Sequence, residues 1–223
     1  MKGNSYYSRK LHSLLGVIPL GFFLVEHMLT NFAAVEGGKQ GFNDLVAFLN
    51  GLPLVLVLEI FGIWLPLLYH GVYGLYVAYQ SRNNVNNYGY FRNLMFTLQR
   101  VTGVLTFVFV IWHVFETRFQ VAIGNVTHET LGEQMHSILS NPIFLALYII
   151  GVVAASFHFT NGMWSFLVAW GITVGPRAQR ASSYVWMILF VILSAMFITS
   201  LLAFTGSDFA ETASAVSSIQ SIG

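Results

Sequence analysis

Five long apolar stretches constrain this chain more than any other feature of its sequence. Each can cross the hydrocarbon core of a bilayer, which takes about 20 helical residues. Only 9% of the 223 residues are charged, whereas soluble domains are about 25% charged. We therefore predict an all-α integral membrane protein with five transmembrane helices. The stretches, numbered spans 1 to 5, are Leu11–Ala34, Leu52–Tyr79, Leu94–Thr117, Pro142–Trp170 and Tyr184–Phe204.

The distribution of lysine and arginine predicts how these spans are oriented. The positive-inside rule places the N-terminus in the cytoplasm and the C-terminus outside. We expect residues 1–206 to form a single transmembrane domain, and residues 207–223 to form a polar, mobile tail on the outer side. The basic residues of the cytoplasmic side precede span 1 or follow spans 2 and 4: Lys2, Arg9, Lys10, Arg82, Arg92, Arg177 and Arg180.

Composition excludes several classes of protein. A net charge of +1 is too small for a nucleic-acid-binding surface. The chain has no cysteine, which excludes disulfides, an iron–sulfur cluster on its own thiolates and a covalently attached c-type haem. The glycine-rich segment 37–41 is expected to be a polar loop. Its spacing differs from that of phosphate-binding glycine motifs, so nucleotide chemistry is not expected.

Four of the seven histidines lie inside four consecutive spans, one in each. An ionisable side chain at membrane depth is costly and usually functional. The span directions place His27 and His113 near the outer surface, and His70 and His158 about 25 Å from it. Two histidines at one depth on facing helices suit the bis-imidazole ligation of a haem. The sequence thus predicts two b-type haems, an outer one on His27 and His113 and an inner one on His70 and His158.

Other interpretations stay open on the residues alone. A single buried histidine can be a packing residue, and a set of them can line a haem-free proton or ion transporter. Spans 1 and 3 also share a glycine about three turns before the histidine, at Gly16 and Gly103. This weak repeat can equally arise by chance, because small residues pack membrane helices whatever their function.

Seven segments of the chain together form a recognisable pattern. They are Arg9-Lys-Leu-His12-Ser13-Leu-Leu-Gly16-Val-Ile-Pro19, Leu65-Pro66-Leu-Leu-Tyr-His70, Tyr90-Phe-Arg92-Asn93, Gln99-Arg100-Val-Thr-Gly103, Trp112-His113, His158-Phe-Thr-Asn161-Gly-Met-Trp164-Ser165 and Trp170-Gly-Ile-Thr173-Val-Gly-Pro176-Arg177. In these segments the chain resembles a known family, the membrane anchor of succinate:menaquinone oxidoreductase. The resemblance is to the five-helix, dihaem cytochrome b subunit found in Gram-positive bacteria, and it extends over nearly the whole chain.

The resemblance implies a function in the bacterial plasma membrane. A flavoprotein subunit oxidises succinate, an iron–sulfur subunit docks on the cytoplasmic face, and electrons pass through two haems to menaquinone. Four helices would enclose the haems, and the fifth would pack outside them. The family's axial ligands fall on the four histidines of the spans. The anchor of a fumarate reductase is the related alternative.

Six further residues are candidates for binding. Five of them are expected to hold the inner haem's propionates or to line a quinone pocket, or else to anchor the chain at the membrane interface. These five are Arg9, His12, Ser13, Arg100 and Thr102. The sixth, Glu59, lies about seven residues into span 2, where a lone carboxylate is costly. We expect it to exchange protons with a menaquinone near the outer haem, or to be a hydrogen-bonded packing residue.

Overall fold

The computed structural model describes residues 2–82 and 85–210, with side chains from residue 6 onward, and these residues contain helices and no strand. The α-helices are α1 (Lys2–Val17), α2 (Pro19–Asn50), α3 (Val55–Leu58), α4 (Leu65–Gln80), α5 (Phe91–Glu116), α6 (Arg118–Ala122), α7 (Leu131–Leu139), α8 (Pro142–Ala169) and α9 (Pro176–Ala203). A π-helix covers Glu59–Trp64, and short 3-10 helices cover His128–Thr130 and Ser207–Phe209.

Five helical segments are long and apolar enough to cross a membrane, which confirms the predicted all-helical membrane fold. Large apolar side chains in mid-span stay exposed, such as Phe22 at 77% and Ile188 at 61%. Exposed apolar surface of this kind is what a helix presents to lipid. The segments are Tyr6–Asn50, Val55–Gln80, Phe91–Ala122, Pro142–Ala169 and Pro176–Ala203.

Span 1 is longer than the sequence predicts. Helical residues run on through the glycine-rich segment 37–41 to Asn50, so the polar loop expected there is wrong. Gly38 has φ 58° and ψ −149°, a backbone conformation that only glycine adopts without strain. It kinks the helix, and beyond the kink Phe42 and Val46 are buried. The polar composition of the segment therefore coincides with a break at Gly38, where one helix ends and a second helix begins.

Span 2 begins with an irregular stretch that ends at a proline. Its π-helix, Glu59–Trp64, lies directly before α4, whose second residue is Pro66. A proline ring clashes with the carbonyl four residues earlier in a regular α-helix. In the π-turn the N–H of Leu65 bonds to the carbonyl of Ile60, five residues earlier, so the regular four-residue spacing is already relaxed where the proline follows.

The chain divides into two compact units. Unit 1 consists of Met1–Val25, Leu56–Val108 and Val153–Ser194, and unit 2 consists of Glu26–Val55, Phe109–Val152 and Ala195–Gly223. The boundaries fall at points along the spans, so every span contributes residues to both units. His70 and His158 belong to unit 1, whereas His27 and His113 belong to unit 2. Each unit therefore contains one complete histidine pair.

Unit 1 is held together by small and polar side chains on α8. Thr160 is fully buried and Asn161 is 5% exposed. Span 5 joins this unit through the Trp164 indole, which donates to the carbonyl of Gln179 at 3.0 Å. The ammonium of Lys10 binds the carbonyl of Ala169 at 2.7 Å, where a cation is favourable because the helix C-terminus carries partial negative charge.

Unit 2 has an aromatic core in which the first residues of the predicted tail take part. Phe209, in the last 3-10 helix, is 1% exposed and lies 4.9 Å from Phe204 between ring centroids. A partly buried ion pair of 2.7 Å joins Lys39 to Glu133 on α7. Phe209 is thus packed into the unit, whereas Ser207 and Asp208 of the same turn are exposed. The rest of the predicted mobile tail, residues 211–223, lies outside the described residues.

Two histidine pairs as candidate haem sites

Each unit brings the imidazoles of its two histidines close together, with their ring planes steeply inclined to each other. In unit 1 the ring centroids of His70 and His158 are 6.1 Å apart, with 79° between the ring planes. In unit 2 those of His27 and His113 are 5.8 Å apart at 67°. The two pairs that lie together are the pairs that the sequence predicts for the inner and the outer haem.

This spacing fits two imidazoles that share one metal atom. With metal–nitrogen bonds of about 2.0 Å and about 1.1 Å from each nitrogen to its ring centre, the centroids of two opposed ligands lie about 6 Å apart. Among the described residues no group of three or more His, Cys, Asp or Glu side chains could hold a metal ion. A haem needs only an axial pair, because its macrocycle supplies the other four ligands. The donor set in each unit therefore fits a haem.

Hydrogen bonds in unit 1 fix which ring nitrogen is left for a metal. Nδ1 of His70 lies 2.9 Å from the carbonyl of His12, and Nδ1 of His158 lies 3.1 Å from the carbonyl of Gln99. A carbonyl can only accept, so Nδ1 of His70 carries the proton and donates it. Nδ1 of His158 also lies 3.2 Å from the amide nitrogen of Gln99, and its contact with the carbonyl is a hydrogen bond only when this Nδ1 carries the proton. In that tautomer Nε2 of both rings keeps its lone pair, as in most histidines that ligate metals.

The Gln99 side chain is part of this support and was not predicted as a site residue. Its amide nitrogen donates to the carbonyl of His158 at 2.9 Å, and its amide oxygen accepts from Asn161 at 2.6 Å. Asn161 also donates to the carbonyl of Met95 at 3.2 Å. The available signal was the spacing, since Asn161 follows His158 by three residues and so shares its helix face.

Glycines face both histidines of unit 1. A Cβ on Gly16 of span 1 would overlap the imidazole of His70, and one on Gly103 of span 3 would lie 2.8 Å from Cε1 of His158. Real Cβ atoms do not approach other atoms so closely. The repeated glycines therefore have a steric reason, and each faces the histidine of the following span.

In unit 2 a tyrosine links a histidine to a carboxylate. The hydroxyl of Tyr148 lies 3.4 Å from Nδ1 of His113 and donates to Oε2 of Glu116, also at 3.4 Å. Because the hydroxyl hydrogen goes to the carboxylate, the hydroxyl oxygen accepts from the imidazole. Tyr148 is 1% exposed. No role is predicted for Tyr148 from the sequence, because nothing along the chain shows which way its side chain points.

The fourth histidine is supported from its own helix. Nδ2 of Asn31 donates to the carbonyl of His27 at 2.7 Å and lies 3.3 Å from Nε2 of that ring. Neighbouring Glu26 accepts a hydrogen bond from Thr30 at 2.7 Å. The amide of Asn31, one turn along the helix, thus lies beside this imidazole, whereas Glu26 is bonded to Thr30 and lies about 100° further round the helix.

Of the six other predicted site residues, His12 lies at the histidine pair of unit 1. Its ring stacks on that of His70, with 4.1 Å between centroids and 5° between planes. The Ser13 hydroxyl accepts from the Trp170 indole at 3.1 Å and donates to the carbonyl of Lys10 at 3.0 Å, so its hydrogen bonds serve packing.

The remaining four candidates are more dispersed. Thr102 donates to the carbonyl of Leu98 in its own helix at 2.7 Å. Arg100 makes one long contact, 3.5 Å, with the backbone of the loop after span 2. Arg9 is exposed, and half-buried Glu59 opens the π-helix. None of these contacts assigns a ligand, so the roles of these four residues stay predictions.

Two comparisons with known proteins agree with this geometry. The family model described as "Succinate dehydrogenase/Fumarate reductase transmembrane subunit" matches residues 82–198. The chain is also similar to the succinate dehydrogenase cytochrome b558 subunit of Bacillus subtilis (strain 168). The two are 50% identical over 205 residues, which is 92% of this chain and 100% of that protein.

Proposed function

Since this chain belongs to the family of succinate dehydrogenase and fumarate reductase transmembrane subunits, we propose that it carries electrons through two b-type haems to menaquinone. The electrons come from an iron–sulfur partner subunit, which receives them from a flavoprotein that oxidises succinate. The chain supplies no succinate site of its own. The observation that carries the proposal is the presence of two histidine pairs, each at the spacing of an axial pair.

The four histidines would be the axial ligands, His70 with His158 and His27 with His113. When bound, each haem supplies a reversible one-electron iron couple. Backbone carbonyls hold the rings of His70 and His158 in one tautomer, which raises the basicity of Nε2 and fixes its direction. In unit 2 the hydroxyl of Tyr148 accepts from Nδ1 of His113 and so holds this ring in the same tautomer, while it donates its own hydrogen to the carboxylate of Glu116.

We assign the quinone and propionate roles in order of support from the contacts. His12 stacks on a ligand and is the first candidate for a group that meets a quinone or a propionate. Arg9, Ser13 and Thr102 are second candidates at the same end of the chain's spans. Arg100 lines a groove between spans 2 and 3 instead, so the contacts support its propionate or quinone role least.

Glu59 remains the candidate for proton exchange with menaquinone. Its carboxylate lies within a span, in an irregular turn of a kind that often occurs at functional sites. We expect Glu59→Gln to slow menaquinone reduction at least tenfold while both haems are retained. Unchanged reduction by the holo-complex would show that the carboxylate only packs.

The haem content of the purified complex tests the main proposal. We expect about two b-type haems per chain in a dithionite-reduced difference spectrum, and about one in both His70→Ala and His27→Ala. His136→Ala is the matched control, since this histidine binds the carbonyl of Phe204 at 2.9 Å and belongs to neither pair. Its haem content should equal that of the wild type.

Two results would contradict the proposal. Folded protein without haem would favour the proton or ion transporter that the histidines alone also allow. Loss of haem in His136→Ala to the same degree as in His70→Ala would show that haem binding does not depend specifically on the paired histidines. Physiological direction is a separate measurement: rates of succinate oxidation and fumarate reduction by the same complex distinguish a dehydrogenase from a reductase.

A further inference from the structure

A groove of about 570 Å³ lies between spans 2 and 3 within unit 1. It is open on one side, and most of its exposed lining is apolar. Leu105 and Val104 are 45% and 40% exposed, as expected of side chains that meet lipid. The lining of the groove includes Leu75, Ala78, Thr97, Arg100, Val104 and Leu105.

Among the residues that the structure describes, Arg100 is the one charged residue in the lining of this groove. A guanidinium has five N–H donors, and Arg100 uses one of them in a 3.5 Å contact with the carbonyl of Arg82. That distance is at the limit for a hydrogen bond. Most of the N–H donors of Arg100 are therefore not bonded to the described protein atoms.

The helix face on which Arg100 lies separates it from the histidine pair of unit 1. Gln99 and Gly103 share one face of span 3, and both contact His158. Arg100 and Val104 lie about 100° further round the helix, on the face that lines the groove. The guanidinium is therefore directed toward the groove and away from the paired imidazoles.

Unit 1, which contains the groove, carries an excess of positive charge. It contains eight lysines and arginines and a single acidic residue, Glu59, whereas unit 2 contains two basic and eight acidic residues. Among the described residues no acidic side chain lines the groove. An anion that enters it meets one cation directly and a positive field from the whole unit.

We propose that this groove binds an anionic phospholipid. An acyl chain lies along Leu75, Ala78 and Leu105, and the phosphate accepts hydrogen bonds from the guanidinium of Arg100. Arginine suits a phosphate because its planar donors form paired, charge-assisted bonds. Basic pockets between transmembrane helices recognise anionic lipids in this way. The site requires only the membrane fold and is independent of the proposed haem ligation.

Lipid retention by the purified holo-complex tests this site. The complex is extracted in a neutral detergent, exchanged into dioleoylphosphatidylcholine and titrated with dioleoylphosphatidylglycerol. Native mass spectrometry then counts bound lipid. We expect one retained phosphatidylglycerol per chain in the wild type, and roughly tenfold weaker retention in Arg100→Gln, the loss expected for a charge-assisted contact. Arg180→Gln removes the same charge from an exposed position in unit 1 and should bind normally.

A second variant blocks the groove and leaves the arginine in place. Ala78→Phe fills the space for the acyl chain, so it should also lose the lipid while the haem spectrum stays that of the wild type. Equal retention by Arg100→Gln and the wild type would overturn the proposal. So would equal binding of phosphatidylcholine, or a bound mass that corresponds to a quinone.

Discussion

Gly103 leaves room for the imidazole of His158, and a hydrogen is the largest side chain that fits there. A methyl group would lie 2.8 Å from Cε1 of that ring, and overpacking of this kind costs about 1–3 kcal/mol. We expect Gly103→Ala to lose the haem of unit 1 and keep that of unit 2, giving about one haem per chain in the difference spectrum.

Gly62→Ala is the control for this change, because nothing lies within 4 Å of a Cβ at that position. It should keep both haems. Two retained haems in Gly103→Ala would mean that the helices shift without cost and that the glycine is a packing preference only.

Tyr148 offers a second prediction at the scale of single residues. Its hydroxyl accepts from His113 and donates to Glu116, which gives the imidazole partial negative character and favours ferric iron. Tyr148→Phe removes a bond of about 1 kcal/mol, so one midpoint potential should rise by up to about 40 mV in a redox titration. The exposed Tyr184→Phe should leave both potentials unchanged, and a fall would contradict the assigned direction.

The histidines could be predicted from the sequence, but their hydrogen-bond partners could not. Depth in a membrane follows from counting residues along a helix, and this count pairs His70 with His158. Whether Tyr148 meets His113 depends on the rotation of two helices about their own axes. Packing between helices sets that rotation, and a single sequence does not encode it in any periodic pattern.

The 3-10 helix Ser207–Phe209 makes a prediction at the scale of elements. Phe209 is 1% exposed and packs on Phe204 and Gly132. Truncation of a buried phenylalanine costs about 3–5 kcal/mol, so Phe209→Ala should clearly lower the thermal midpoint of the detergent-solubilised protein. Ser207→Ala, an exposed change in the same turn, should leave it unchanged. Equal thermal midpoints for both variants would mean that the packing of Phe209 does not contribute to the stability of the unit.

Element boundaries were predicted well where composition changes with structure and poorly where it does not. Span 4 was expected at Pro142–Trp170 and forms Pro142–Ala169, because proline and a following turn mark its ends. Span 1 was expected to end at Ala34, yet helical residues continue to Asn50, interrupted at the non-helical Gly38. Polar residues and glycines on a helix outside the hydrocarbon resemble a loop in composition.

At the scale of the whole molecule, the segregation of charge predicts the orientation in the membrane. Seven basic residues precede span 1 or follow spans 2 and 4, so the N-terminus should be cytoplasmic. The chain has no cysteine, and single cysteines can therefore report each side. A membrane-impermeant thiol reagent should label Asn125→Cys in intact cells and label Asn86→Cys only after lysis. The reverse pattern would invert the topology.

The division of the histidines between spans also sets an order in time. Span 3 completes the pair of His27 and His113, whereas His70 has no partner until span 4 is made. The ribosome adds about 5–20 residues per second, so the 45 residues from His113 to His158 take about 2–9 seconds. The two histidines of unit 2 are thus both in the nascent chain before those of unit 1, although Tyr148 on span 4 follows later, and we expect haem supplied during synthesis to bind unit 2 first.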